Sequence, residues 1–344
     1  MAKDVGKIQL ITADGSEVAA QAPIIVSASR STDIPAFYAD WFFHRLEVGY
    51  SAWTNPFNGV KSYISYANTR FIVFWSKNPE PLLPYLHVLK EKNIGCYIQY
   101  TLNDYVDEKL ETGVPSLEKR IGTFKSLVKE LGVGRVIWRF DPMILTESTS
   151  IDSLLKKVEN IGDQLKGFTE KLVFSYADIK SYRKVESNLK KNNIPYIEWT
   201  EELMEEFAYK LSALNKDKGW NYELATCGEK IDIERYGIKH NRCIDRDLIK
   251  RIMADDEDFI YYLDTGKFPE RDLFGQLIPQ KEKSVTTLKD KGQRPLCGCM
   301  SAKDVGEYNT CPHLCEYCYA NANKETALRN YERHNTNPLK ETIT

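Results

Sequence analysis

From about Ile24 onward one local arrangement recurs along the chain: a short β-branched or aromatic run, a few polar turn residues, then a stretch whose apolar side chains return every three or four positions. Alternating strand and helix periods restrict the fold to the α/β class, because helices placed between successive strands bring those strands into a parallel sheet. Strands read at Ile24 to Ser29, Tyr50 to Thr54, Phe71 to Ser76, Cys96 to Thr101, Arg135 to Arg139, Leu172 to Ser175 and Tyr222 to Thr226. An eighth candidate, Ile194 to Trp199, contains Pro195, which has no N–H for an interior ladder. Helical spacing is plain in Phe37, Trp41, Phe42 and Leu46, and again in Leu203, Phe207, Leu211 and Leu214. The expected architecture is a TIM-like (β/α) barrel or partial barrel of seven or eight strands over residues 20–250. A linker and helix over 251–294 and a cysteine-rich extension over 295–344 follow it. The length of 344 residues also allows two domains.

Polar residues gather where the strands end, at Ser29-Arg30-Ser31-Thr32-Asp33, Ser76-Lys77-Asn78-Pro79, Arg139-Phe140-Asp141-Pro142 and Thr226-Cys227-Gly228-Glu229. In a barrel these ends share one face, and that face carries the active site. Arg30, Lys77, Arg139 and Asp141 are the candidate catalytic residues. Arg139 and Asp141 point the same way on a continuing strand, so an ion pair between them stands beside substrate binding, and Lys77 with Asn78 poses the same choice. Arg30 has no local role and suits a carboxylate or phosphate. Asp33, two residues before Pro35, reads as a helix cap. The tryptophans at 53, 75 and 138 and the tyrosines at 50 and 100 read as core.

The 47 basic and 49 acidic residues nearly cancel. That balance gives no global drive toward nucleic acid or an anionic membrane, although a local basic cleft stays open as an alternative. No stretch approaches the about 20 apolar residues of a membrane span, and the first residues lack the apolar core of a signal peptide. A cytoplasmic protein is expected. Eight cysteines in a reducing compartment point to metal or redox chemistry in place of disulfides.

Three of the eight lie in the phrase CPHLCEYC as Cys311, Cys315 and Cys318. Three thiolates on one tight loop can hold three corners of a cubane cluster, so that one iron could stay open for chemistry. Cys227, Cys243, Cys297 and Cys299 could furnish a complete second site, an iron-sulfur cluster or tetrahedral zinc, or be unrelated buried thiols. Cys96 opens an apolar strand and reads as a small buried hydrophobe; His313 reads as a polar loop residue.

The spacing Cys311-x3-Cys315-x-Tyr317-Cys318 resembles the signature of the radical S-adenosylmethionine superfamily, in which an aromatic residue precedes the third cysteine. More widely, the phrases SASRSTDIPAFYADWF, NPFN, FIVFWSKNPEP, WRFDPMIL and YNTCPHLCEYCYAN resemble an uncharacterised bacterial domain family of unknown function. The superfamily resemblance implies a 4Fe-4S cluster on Cys311, Cys315 and Cys318, S-adenosylmethionine chelated at the open iron, and reductive cleavage of that cofactor to a 5'-deoxyadenosyl radical. It also implies that Tyr317 lies against the cofactor. Glu229, in a single Gly-Glu, is a candidate for the cofactor amine. Two departures stand out: the motif follows the barrel instead of its first strand, and no Gly-Gly-Glu follows a neighbouring strand.

The expected function is therefore a radical-type iron-sulfur enzyme served by an electron donor such as a flavodoxin or ferredoxin and acting on an unknown substrate. Two alternatives belong to other classes. One is a non-catalytic binding protein whose barrel is stabilised by zinc or a fully ligated cluster; the other is an electron-transfer or redox-sensing protein with four cluster ligands.

Overall fold

A computed structural model of the protein describes residues 6–55, 58–274, 276, 278, 288–290 and 296–344. Among them run twelve strands: β1 Gly6–Ile11, β2 Glu17–Ala22, β3 Ile25–Ala28, β4 Tyr50–Thr54, β5 Lys61–Ser65, β6 Phe71–Ser76, β7 Gly95–Thr101, β8 Val136–Met143, β9 Lys171–Tyr176, β10 Glu223–Thr226, β11 Ile238–His240 and β12 Lys303–Asp304. Eight of these form one sheet in the order β11-β10-β9-β8-β7-β6-β3-β12, and every pairing in it is parallel. The fold is α/β. Consecutive strands of this sheet are neighbours, and its last strand, β12, pairs with its first, β3. The open edge lies between β11 and β12, and there Met300 N–H donates to Ile244 O at 3.0 Å.

Both faces of the sheet are apolar, which is why its strands read as near-continuous hydrophobic runs. Val26, Ile72, Phe74, Ile98, Trp138 and Leu172 pack with the flanking helices, among them Ala39–Val48, Leu117–Leu131, Ile151–Leu165 and Glu201–Asp217. Their sequence neighbours Ile25, Phe71, Val73, Tyr97, Ile137 and Val173 turn to the opposite face, as the two-residue strand period requires. Helices Arg246–Ile252 and Glu257–Thr265 cover that face, placing Ile249, Met253, Phe259 and Leu263 against it. Ion pairs between Arg70 and Asp256 and between Arg251 and Glu170 hold them at the N-terminal ends of the strands.

The structure corrects the sequence reading in several places. Tyr50–Thr54 is a strand, but it belongs to a separate four-stranded sheet of order β1-β2-β5-β4. Ile194 to Trp199 makes only an isolated bridge, Ile197 to Leu145, consistent with Pro195. The places left vacant go to β11 and β12, which at three and two residues are too short to show a period. The β1–β2 hairpin and β5 were not expected at all; β1 is mostly exposed and lacks a buried face to mark it. The helix expected within 251–294 is Glu257–Thr265, with Asp256 as its cap. Much of the linker expected before residue 295 lies outside the described residues, as do Pro56 and Phe57 of the NPFN phrase. No described helix is long and apolar enough to cross a membrane.

Candidate functional site

Because the large sheet is parallel, the C-terminal ends of its strands fall on one face, and residues 304–321 lie across it. Asp304, at the end of β12, fastens this segment to the end of β3. Its carboxylate accepts from Ser29 Oγ at 2.7 Å, Ser31 Oγ at 2.9 Å, Arg30 N at 2.7 Å, Ser27 Oγ at 3.1 Å and Gly306 N at 3.1 Å. A side chain at position 306 would place its Cβ 2.6 Å from that of Ser29, so glycine permits the approach.

The cysteine loop is held from several strands. Asp33 caps the short helix Ile34–Phe37 by accepting from Ala36 N at 3.0 Å, and it also accepts from Lys77 N at 2.7 Å. The same carboxylate meets His313 Nε2 at 2.8 Å, while His313 Nδ1 lies 3.1 Å from Gly113 O. Both ring nitrogens of His313 are thus engaged away from the sulfurs. Gly113 N donates to His313 O at 3.0 Å, and a Cβ at 113 would sit 2.5 Å from that oxygen.

Tyr317 enters the strand-end face with its hydroxyl. It donates to Glu111 and accepts from Lys77 Nζ at 2.8 Å and Asn103 Nδ2 at 3.1 Å. Lys77 pairs with Glu111 at 2.7 Å, and Arg120 stands 3.7 Å from the second carboxylate oxygen. Burial works to raise the Glu111 pKa, but the charges of Lys77 and Arg120 overcome it and hold it down to about 2.

Cys311, Cys315 and Cys318 flank these contacts as free thiols, with Leu314 in the left-handed region at φ 56° turning the loop between the first two. Burial pushes all three thiols up; Asp33 adds to the rise at Cys311, while Lys77 opposes it at Cys315. Among the described residues no three His, Cys, Asp or Glu side chains are already gathered to grip a metal ion. What suits a cluster here is the donor set: three soft thiols, the nearby Lys77 cation, and a histidine committed elsewhere. Trp75 Nε1, one residue before the end of β6, is buried with no hydrogen-bond partner among the described residues.

The four remaining candidate cysteines converge although 72 residues separate the first from the last. Cys227 and Cys243 Sγ lie 3.3 Å apart, and Cys299 Sγ accepts from the backbone N–H of Cys243 at 3.2 Å and of Ile244 at 3.4 Å. The bond with Cys299 brings the Cys297 thiol down to about 7.

The other candidates divide. Arg139 is paired with Asp141, its Nε 3.1 Å from Oδ2, and Asp141 also accepts from Ser175. Arg30 makes a looser 3.8 Å contact with Asp290 and lies over the Trp75 ring at 5.4 Å, with Arg139 at 5.3 Å from the same ring. Glu229 accepts from Tyr176 N at 3.1 Å at the end of β9. Asp304, Glu111 and Asn103 were missed. Asn103 lies two residues past β7 and was open to the strand-end rule, whereas Glu111 and Asp304 carry no local signal.

A family comparison over residues 25–320 matches a domain of unknown function, DUF1848. The chain belongs to the DUF1848 family. That match takes in β3 through β12 and the cysteine loop, so in this DUF1848 chain the parallel sheet and the segment lying across its strand ends fall within one family domain. No curated protein and no solved structure matches the chain.

Proposed function

We propose that this DUF1848 chain is a (β/α) barrel-like iron-sulfur enzyme of the radical S-adenosylmethionine type, with the cluster on Cys311, Cys315 and Cys318. The observation that carries the reading is the position of the cysteine loop: three free thiols on one turn, Cys315 buried and Cys311 and Cys318 partly so, lying over the C-terminal ends of a parallel sheet, with His313 withdrawn as a fourth donor. Three ligands, and not four, favour an open iron over a closed electron-transfer cluster.

A bound cubane would supply a low-potential electron to S-adenosylmethionine and so start radical chemistry on a substrate. The chain's own groups prepare the surroundings. Lys77 offsets negative charge at Cys315 and Cys318, while Glu111, kept ionised by Lys77 and Arg120, fixes both the lysine and Tyr317. Tyr317 accordingly serves to anchor the loop. Arg139 is committed to Asp141, which leaves Arg30 beside the Trp75 ring to receive a carboxylate and the Trp75 indole N–H to donate to a ligand.

Anaerobic reconstitution with iron and sulfide tests this. A reduced four-iron resonance that changes on adding S-adenosylmethionine is expected, together with reductive cleavage of that cofactor. Replacing Cys311, Cys315 or Cys318 by alanine should remove the iron and leave the far-ultraviolet circular dichroism unchanged. A fully reconstituted protein whose cluster ignores S-adenosylmethionine would sink the proposal.

A further inference from the structure

Cys227, Cys243, Cys299 and Cys297 are distinct from the cysteine loop and are not needed by the chemistry proposed above. Their placement is specific. Cys227 follows β10 directly, Cys243 lies three residues beyond β11, and Cys297 and Cys299 precede β12. They therefore flank the one open edge of the parallel sheet, where Met300 N–H donates to Ile244 O. Cys227 and Cys243 Sγ lie 3.3 Å apart, Cys299 Sγ lies 3.2 Å from the backbone N of Cys243, and Cys297 stands two residues before Cys299.

A second observation concerns the groups aimed at the sulfurs. Cys243 Sγ receives Asn241 Nδ2 at 3.1 Å and an Arg139 guanidinium nitrogen at 3.3 Å; Cys299 Sγ receives the backbone N–H of Cys243 at 3.2 Å and of Ile244 at 3.4 Å. Four N–H donors converging on two buried sulfurs, one of them cationic, form an environment built for thiolate charge.

We infer that these four cysteines bind one zinc ion that clasps the β11–β12 edge. The sulfur spacing favours a single ion over a cluster. With Zn–S bonds near 2.3 Å, tetrahedral sulfurs stand about 3.8 Å apart, close to the 3.3 Å between Cys227 and Cys243, whereas the ligands of a cubane are held apart by the cluster between them. The four thiols are not yet gathered into an ion site among the described residues. Binding draws all four sulfurs to the same ion. Zinc displaces the four thiol protons, leaving a tetrathiolate of net charge −2 beside Arg139, with no change of oxidation state. Four protein ligands make the site structural.

The test is zinc and iron analysis of the full-length protein by mass spectrometry, followed by cobalt titration of the chelator-treated chain. One equivalent of zinc is expected in the unaltered protein and in the Cys311→Ala/Cys315→Ala/Cys318→Ala variant. Cys243→Ser and Cys299→Ser should lose it and melt at lower temperature, whereas Cys96→Ser, on β7, should keep it. Should the serine variants fail to fold, the cobalt titration of the unaltered chain still decides, since tetrahedral thiolate ligation gives intense visible bands. Absence of those bands overturns the inference, as does a Cys227–Cys243 disulfide or iron in zinc's place. Because the two metals are followed by different cysteine variants, loss of one reading leaves the other standing.

Discussion

Glu111 shows how charge organises the strand-end face. Its carboxylate is 2% exposed on the side chain and faces both Lys77 and Arg120. Lys77→Met removes the nearer cation and leaves that charge buried, at a cost of about 3 kcal/mol, measurable as a lower denaturant midpoint. The pH dependence follows from the sign of the shift. A carboxylate held below its ordinary value of 4.5 contributes its stability in full above that value and loses it as pH falls toward about 2. Glu111→Gln should therefore flatten the melting temperature across that acid window; an unchanged slope would show that the pair contributes nothing. Tyr317→Phe keeps the ring against Tyr105 but leaves Glu111, Lys77 and Asn103 short of a partner. The expected loss is about 1–3 kcal/mol, read by the same denaturation.

At the scale of elements, β12 has two residues and one carboxylate as its main fastening. Asp304→Ala removes the acceptor of five hydrogen bonds from β3, the turn after it and Gly306. Limited proteolysis should then cut the chain between residues 296 and 310 while the rest resists. Gly113→Val tests the same docking from the other side, since its Cβ would strike the His313 backbone. Retention of the wild-type cleavage pattern in both variants would mean that the segment is held elsewhere. The strands of the sheet depend on packing instead: Trp138→Ala, at 0% exposure, should cost about 3–5 kcal/mol in equilibrium unfolding.

Residues 324–341 join the four-stranded sheet to the helices that flank the large one. Trp41 Nε1 donates to Lys340 O at 2.9 Å, Ala52 N donates to Glu341 O at 2.8 Å, and the Tyr50 hydroxyl donates to the Glu341 carboxylate at 2.7 Å. Helix Lys324–Thr336 packs Tyr331 edge-on against Phe37 and Tyr38. Truncation after Asn337 should lower the melting temperature by a few degrees, at about 2–4 °C per kcal/mol for a large domain, and calorimetry would detect it.

Local pattern alone accounts for the α/β class, the core strands from β3 to β10 other than β4 and β5, the helix cap at Asp33 and the soft-donor character of the cysteine loop. Each of these is written in local periodicity, in a cap position or in close spacing. The three-dimensional structure decided which strand joins which sheet, because Tyr50–Thr54 has the composition of a core strand and only its partners place it outside. It also decided how the sheet's edge is filled, since β11 and β12 are too short to carry a period and owe their pairing to what lies beside them. Above all it decided the company of the charged and sulfur groups. Lys77 meets Glu111 across 34 residues, Cys227 meets Cys243 across 16, and Asp304 meets Ser27 across 277. Contacts of that range leave no trace in local spacing, because they are fixed by how the strands curve and where the chain's end returns.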